Sequence, residues 1–251
     1  MSGLDGKVAL VTGAGQGIGQ GISYALAAEG AAVSVVGRTA VKLKATVDEI
    51  IRRGGTAIAV VCDVKDGDQV RAAVDQTVRA LGGLDVLVNN AQEYNFGSII
   101  DIPLDSVEAG WKSGPLATLL FMREAFPHLH DGGVIVNVSS PAAVGSDLAG
   151  VGAYSAAKAA IESLSRAAAV EWAGFGIRVN TIMPIARTPA IEASFEMVPG
   201  LEEQLTASLP LRRLGDPERD IGPAVVFVAG PGGSYMTGST LSVDGGAVRL
   251  R

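Results

Sequence analysis

Seven short β-branched runs punctuate the chain, at Val8 to Val11, Ala32 to Val36, Ala57 to Val61, Val86 to Asn89, Val134 to Val138, Arg178 to Ile182 and Leu241 to Val243. Between them apolar residues recur at three- and four-residue intervals, as in Ile18, Ile22 and Leu26, in Leu43, Val47, Ile50 and Ile51, and in Val70, Val74 and Val78. That spacing marks one buried helix face. The runs themselves are continuously apolar rather than alternating, so their strands need cover on both sides. Alternating strands and helices with doubly buried strands predict an α/β fold, a doubly wound parallel seven-stranded sheet with helices on both faces. No linker or repeat interrupts the pattern, so residues 1–251 are expected to form a single domain. The alternation lapses between Pro184 and Pro210, a span with four prolines and scattered apolar residues. An insertion at 184–210 is expected to be a lid over the crevice at the carboxyl ends of the strands.

With 48% apolar and 18% charged residues in 251, the chain is no disordered polymer, and its length suits one α/β unit. A net charge of −6 without long runs of like charge argues against a nucleic-acid partner. No apolar run approaches the roughly 18 residues of a membrane span, and the first residues lack the pattern of a signal peptide, so a cytoplasmic location is expected. Cys62 is the only cysteine and is expected in the core. His128 and His130, two apart at a helix end, do not share a helical face and are expected at the surface, so no metal site is predicted. Trp111 and Trp172 are expected to pack helices or a subunit interface.

The first strand runs into Thr12-Gly13-Ala14-Gly15-Gln16-Gly17-Ile18-Gly19 and then a helix. Glycines here allow a tight turn and let the backbone approach a pyrophosphate, which would face the N–H groups and positive pole of the helix. Strand, loop and helix fall in the order that dinucleotide binding requires. The second strand ends in Gly37-Arg38 with no carboxylate. A guanidinium there suits a 2′-phosphate, which favours NADP(H) over NAD(H), the alternative being a solvated surface arginine.

Tyr154 and Lys158, four apart at the start of a long helical pattern, share one face. A phenol beside an ammonium is a plausible proton carrier. Ser140 ends the strand IVNVSS at the edge where a ligand would lie, and its hydroxyl could polarise a carbonyl.

In combination these features resemble the short-chain dehydrogenase/reductase family over essentially the whole chain. TGAGQGIG is similar to the family's TGxxxGxG, Asn89-Asn90-Ala91 to the first part of its NNAG, and Ser140, Tyr154 and Lys158 to its catalytic Ser, Tyr and Lys. Asp63 resembles the family's adenine-contacting Asp and Thr188 its nicotinamide-carboxamide contact, while Arg178-Val179-Asn180 and the stretch from Thr237-Gly238 to Asp244-Gly245-Gly246 resemble its late segments. The resemblance implies a Rossmann fold and a cofactor held by Gly13, Gly15, Gln16, Gly17, Ile18, Gly19, Arg38, Asp63, Val64, Asn90, Ala91, Tyr154, Lys158, Pro184 and Thr188. It also implies a homo-oligomer, a tetramer or dimer, paired through helices at 105–127 and 152–173.

Three positions depart from the family pattern. Gln92 stands where NNAG ends in Gly, Ile185 replaces the usual Gly after Pro184, and Gly114, followed by Pro115, occupies the place of a fourth catalytic residue, an Asn. The implied function is an NADP-preferring oxidoreductase interconverting a small-molecule ketone and a secondary alcohol, with 3-oxoacyl, ketosteroid and terpenoid compounds as candidate substrates. Ser140 would hold the oxygen, Tyr154 transfer its proton, and Lys158 lower the phenol's pKa and bind the ribose. The alternative is a catalytically weak or inactive nucleotide-binding regulator of the same fold.

Overall fold

The computed structural model describes residues 3–129, 132–145 and 149–248, and His130 lies outside them. Strands β1 (Val8–Thr12), β2 (Ala32–Gly37), β3 (Thr56–Val61), β4 (Val86–Asn89), β5 (Val134–Val138), β6 (Arg178–Pro184) and β7 (Thr240–Val243) form one sheet in the order β3-β2-β1-β4-β5-β6-β7. Every neighbouring pair is parallel. The helices are α1 (Gly17–Ala28), α2 (Ala40–Arg52), α3 (Gly67–Leu81), α4 (Leu104–Trp111), α5 (Ala117–Ala125), α6 (Gly152–Trp172), α7 (Pro189–Met197), α8 (Leu201–Ser208) and α9 (Gly222–Ala229).

Alternate strand residues feed two cores. Ala9, Val11, Val33, Val35, Val86 and Val134 pack under α1, α2 and α9, while Leu10, Val36, Leu87 and Ile135 pack under α3, α5 and α6. This is the double cover that continuous apolar strands demand. At the edges the demand relaxes: β3 and β7 are only partly covered, and Val61 is 59% exposed. Cys62 is buried, as expected, and burial pushes its thiol up to about 12. Trp172 packs on Phe126 at 5.0 Å between ring centroids, whereas Trp111 stays half-exposed and His128 is exposed.

Two local departures shape the site. The helical stretch expected over 105–127 is divided by a π turn at Lys112–Leu116, between α4 and α5. Pro115 has no N–H to bond the carbonyl one turn earlier and its ring crowds that carbonyl. The backbone widens by one residue, and Ala117 N–H bonds the Lys112 carbonyl instead. The 184–210 span, expected as a lid insertion, contains the two short helices α7 and α8, neither of which has a buried residue. Arg187 ties them together through ion pairs to Glu192 and Glu202.

Across the sheet's centre the buried Asn89 and Asn137 sit opposite each other in β4 and β5. Asn89 Nδ2 donates to Asn137 Oδ1 at 2.9 Å, and Asn137 Nδ2 donates to Ser165 Oγ on α6 at 2.8 Å.

Close packing of α1 also depends on glycine. A Cβ on Gly21 would lie 2.3 Å from the Pro217 carbonyl carbon and 2.5 Å from Glu218 N, whereas one on Gly67 would meet nothing within 4 Å. Gly21→Ala should therefore lose about 1–3 kcal/mol by overpacking, despite alanine's better helix propensity. Gly67→Ala should lose nothing. Urea unfolding midpoints of the two variants check the contrast.

Candidate active site

The strand order reverses direction between β1 and β4, and the carboxyl ends of these strands are bound together there. Thr12 Oγ1 accepts from the backbone N–H groups of Asn90 and Ala91, each at 3.0 Å, while Asn90 Nδ2 donates to the Thr12 carbonyl at 2.8 Å. The glycine loop packs onto this seam. A Cβ on Gly13 would approach Asn90 Nδ2 to 2.8 Å, and one on Gly19 to 2.5 Å. Gly13 and Gly17 also adopt positive φ, 65° and 58°, which side chains resist.

Gln16 is the N-cap of α1, makes no side-chain cap bond, and is followed by no acidic residue in the first turn. The positive pole of a 12-residue helix is thus left open beside Gly15, Gly17 and Ile18. Thr188, whose Oγ1 caps α7 by accepting from Ile191 N–H, stands 3.4 Å from where a Gly17 Cβ would be. Asp63 follows β3, and its carboxylate accepts from Lys65 N–H at 3.1 Å. Val64 is buried in the core.

Arg38 leaves β2 half-exposed and pairs with Glu93 at 2.7 Å, and Lys65 pairs with the same carboxylate at 2.9 Å. Sequence reasoning missed Lys42. It lies four residues beyond Arg38 on α2, and its Nζ donates to Gln16 Oε1 at 2.5 Å.

Ser140, Tyr154 and Lys158 meet in one cleft of about 140 Å³, with Ile18, Asn90, Gln92, Tyr94 and Pro184 also in its walls. The Ser140 hydroxyl hydrogen-bonds to the Tyr154 phenol. Lys158 Nζ donates to the Val138 carbonyl at 2.7 Å and lies 5.6 Å from the centre of the Tyr154 ring. Burial governs both titrations: it pushes the phenol up to about 12, against the Ser140 hydrogen bond, and the lysine down to about 7. The sequence-based expectation that Lys158 depresses the phenol's pKa does not describe this state, because the ammonium is turned to the Val138 carbonyl and is itself poorly solvated. At neutral pH the Tyr154 phenol therefore keeps its proton.

Two further residues were not legible beforehand. Tyr94 meets the Tyr154 ring edge-on, 4.8 Å between centroids. Glu162, buried one turn beyond Lys158, accepts from Ser139 Oγ at 2.7 Å and holds the strand end that carries Ser140.

The lysine leaves a mark on stability. Its ordinary value of 10.5 falls to about 7 in the fold, so between these limits the unfolded chain binds the extra proton. Stability therefore falls as pH drops from 10.5 to 7 and then levels off. Lys158→Met should abolish this component. The variant's urea midpoint, relative to the parent's, should rise between pH 10 and pH 7.

Residues 13–248 match a family model described as enoyl-(acyl carrier protein) reductase. The 12α-hydroxysteroid dehydrogenase of Clostridium sp. (strain ATCC 29733 / VPI C48-50) is 38% identical, over 97% of each chain. A short-chain dehydrogenase from Burkholderia cenocepacia J2315, solved in complex with NADP, superposes with a TM-score of 0.90 at 36% identity, over 98% of this chain and 99% of that one. A 7α-hydroxysteroid dehydrogenase complexed with NADH and 7-oxo-glycochenodeoxycholic acid gives a TM-score of 0.92 at 34% identity, over 98% and 96%. With the open glycine loop and the Ser140–Tyr154–Lys158 cleft on the same sheet edge, these likenesses place the chain in the short-chain dehydrogenase/reductase family of oxidoreductases.

Proposed function

We propose that the protein is an NADP-preferring reductase of bulky apolar ketones, working reversibly on the corresponding secondary alcohols. The carrying observation is the cleft itself, where the Ser140 hydroxyl and the protonated Tyr154 phenol share a hydrogen bond beside buried Lys158. The Gly13–Gly19 loop and uncapped α1 would hold the cofactor's pyrophosphate, Asp63 and Val64 its adenine, and Asn90, Ala91, Pro184 and Thr188 its nicotinamide half. When bound, the nicotinamide supplies or accepts the hydride.

Within the cleft Ser140 donates to the substrate carbonyl oxygen and orients it. Tyr154 transfers its phenolic proton to that oxygen as the alcohol forms, and takes it back in the reverse direction. Lys158 binds ribose hydroxyls and stabilises the phenolate left behind. Arg38, paired with Glu93, and Lys42, bonded to Gln16, would support a 2′-phosphate.

The rim supports a bulky apolar substrate. Tyr94, Phe96 and Ile99 are exposed, and the last two pack on Gly150 and Gly152, just before Tyr154. The α7–α8 segment follows from β6 as a cover, with Met197 74% exposed. That relatives are named 12α- and 7α-hydroxysteroid dehydrogenases supports a polycyclic ketone as the substrate of this chain. The half-exposed Trp111 and the exposed Val170 support pairing with further copies, to be measured by light scattering.

Following NADPH absorbance with a panel of steroid, terpenoid and 3-oxoacyl ketones tests the reading. Tight NADPH binding with silence across the panel would instead support a nucleotide-binding regulator. Tyr154→Phe should lower reduction about 100-fold or more with cofactor affinity retained. Arg38→Asp should weaken NADPH binding and spare NADH, as read by fluorescence titration. Reduction should hold through neutral pH and alcohol oxidation should climb toward alkaline pH, since the first needs the phenol and the second the phenolate.

A further inference from the structure

Glu93 Oε1 meets two cations at once, Arg38 at 2.7 Å and Lys65 at 2.9 Å. The three residues leave three different strands: Arg38 directly follows β2, Lys65 follows β3 and Glu93 follows β4. In the sheet β1 lies between β2 and β4, so these ion pairs join loops on either side of the strand that leads into the glycine loop. Lys42, bonded to Gln16 of that loop, adds a third cation with a neutral partner.

This is no ordinary surface ion pair. The Glu93 backbone is fixed, its N–H donating to the buried Ser113 Oγ at 3.0 Å. Its side chain is 29% exposed and that of Lys65 27%, which limits screening by solvent. Two further carboxylates close to Lys65 in the chain are committed to backbone: Asp63 accepts from Lys65 N–H, and Asp66 accepts from Asp68 and Gln69 N–H as the cap of α3. Glu93 is therefore the carboxylate that meets both cations, and it does so through a single oxygen. A phosphate offers three oxygens and a larger charge to the same pair.

We propose that Glu93 determines cofactor selectivity: its carboxylate fills the cationic site at Arg38 and Lys65 as an internal stand-in for a 2′-phosphate, so that NADP(H) must compete with it while NAD(H) need not. This rests on the reading of Arg38 as a 2′-phosphate contact. With NAD(H) the carboxylate keeps both cations paired, so a cofactor without the phosphate leaves no cation stranded. With NADP(H) the phosphate and the carboxylate contend for the same two groups and repel each other. The consequence is a preference for NADP(H) held to a moderate level. Removing the carboxylate charge lifts the competition and leaves the contacts of the rest of the nucleotide as they are.

The test is equilibrium binding of NADPH, NADH, 2′,5′-ADP and 5′-ADP to the intact protein, followed by titration calorimetry at low salt. Glu93→Gln should bind NADPH and 2′,5′-ADP about tenfold more tightly, with NADH and 5′-ADP unchanged within about twofold. The gain should shrink in about 0.5 M salt, which screens the repulsion that the variant relieves. Glu93→Ala should show the same selective gain, which keeps the test decisive if the glutamine amide distorts the loop or the first variant does not fold. A carboxylate that merely staples the loops together would, on removal, weaken all four ligands alike. That result, unchanged affinities, or a selective loss for the two 2′-phosphorylated ligands would overturn the proposal. Arg38→Met separates it from the reading beneath it. If that variant weakens the phosphorylated ligands while Glu93→Gln brings no gain, the role of Glu93 falls and that of Arg38 stands; if it changes nothing, both fall. A parent that reduces no ketone refutes the reductase reading alone, because binding needs no turnover.

Discussion

The hydrogen bonds between Thr12 and the Asn90-Ala91 backbone hold the functional edge of this molecule together. They lie where the sheet's winding reverses, the one place at which the loops leaving two adjacent strands diverge and open a crevice. A crevice is also a weak point, since strand ends there have lost their neighbours. The Thr12 hydroxyl and the Asn90 carboxamide replace those lost contacts with polar ones. Because Gly13 and Gly19 press against the same carboxamide, the glycine loop, the β4 end and the start of α1 pack as one unit. The cleft of Ser140, Tyr154 and Lys158 opens directly beside it, with Ile18 and Asn90 in its walls.

Burial then does the electrostatic work. A lysine with a single carbonyl partner and a phenol with a single hydroxyl partner sit buried in a small cleft, and desolvation drives each toward its neutral form. Neither shift needs a charged neighbour. At neutral pH the phenol is thus protonated and the lysine lies near the midpoint of its own titration, where small changes in nearby hydrogen bonding have the greatest effect on charge.

The strands were legible in the sequence because a doubly covered sheet leaves an unmistakable apolar signature, and their ends agree within two residues of the runs. Ser140, Tyr154 and Lys158 were legible because strand end and helix spacing locate them independently. The π turn was not foreseen: Pro115 signals a break but does not say whether the helix stops, kinks or widens. The contact of Gln92 with Gly114 links residues 22 positions apart through a missing side chain, and periodicity carries no trace of such a relation. The direction of the pKa shifts was likewise hidden, since it depends on how deeply Lys158 sits rather than on which residue lies four positions away.

The Asn89–Asn137 bond at the sheet's centre solves a problem created by the fold's own strength. In a sheet covered on both faces, sliding a strand by one residue exchanges one valine for another and moves nothing apolar into water. Hydrophobic burial therefore distinguishes poorly between alignments. Two amides that must face each other distinguish them sharply, because any slip would set each against a hydrocarbon neighbour with its hydrogen bond lost. β5 leads directly to Ser140, so a slip there would displace its hydroxyl by a full strand residue, about 3.3 Å. The pair acts as an alignment pin, transmitting to the active edge a precision that the greasy interior alone does not supply.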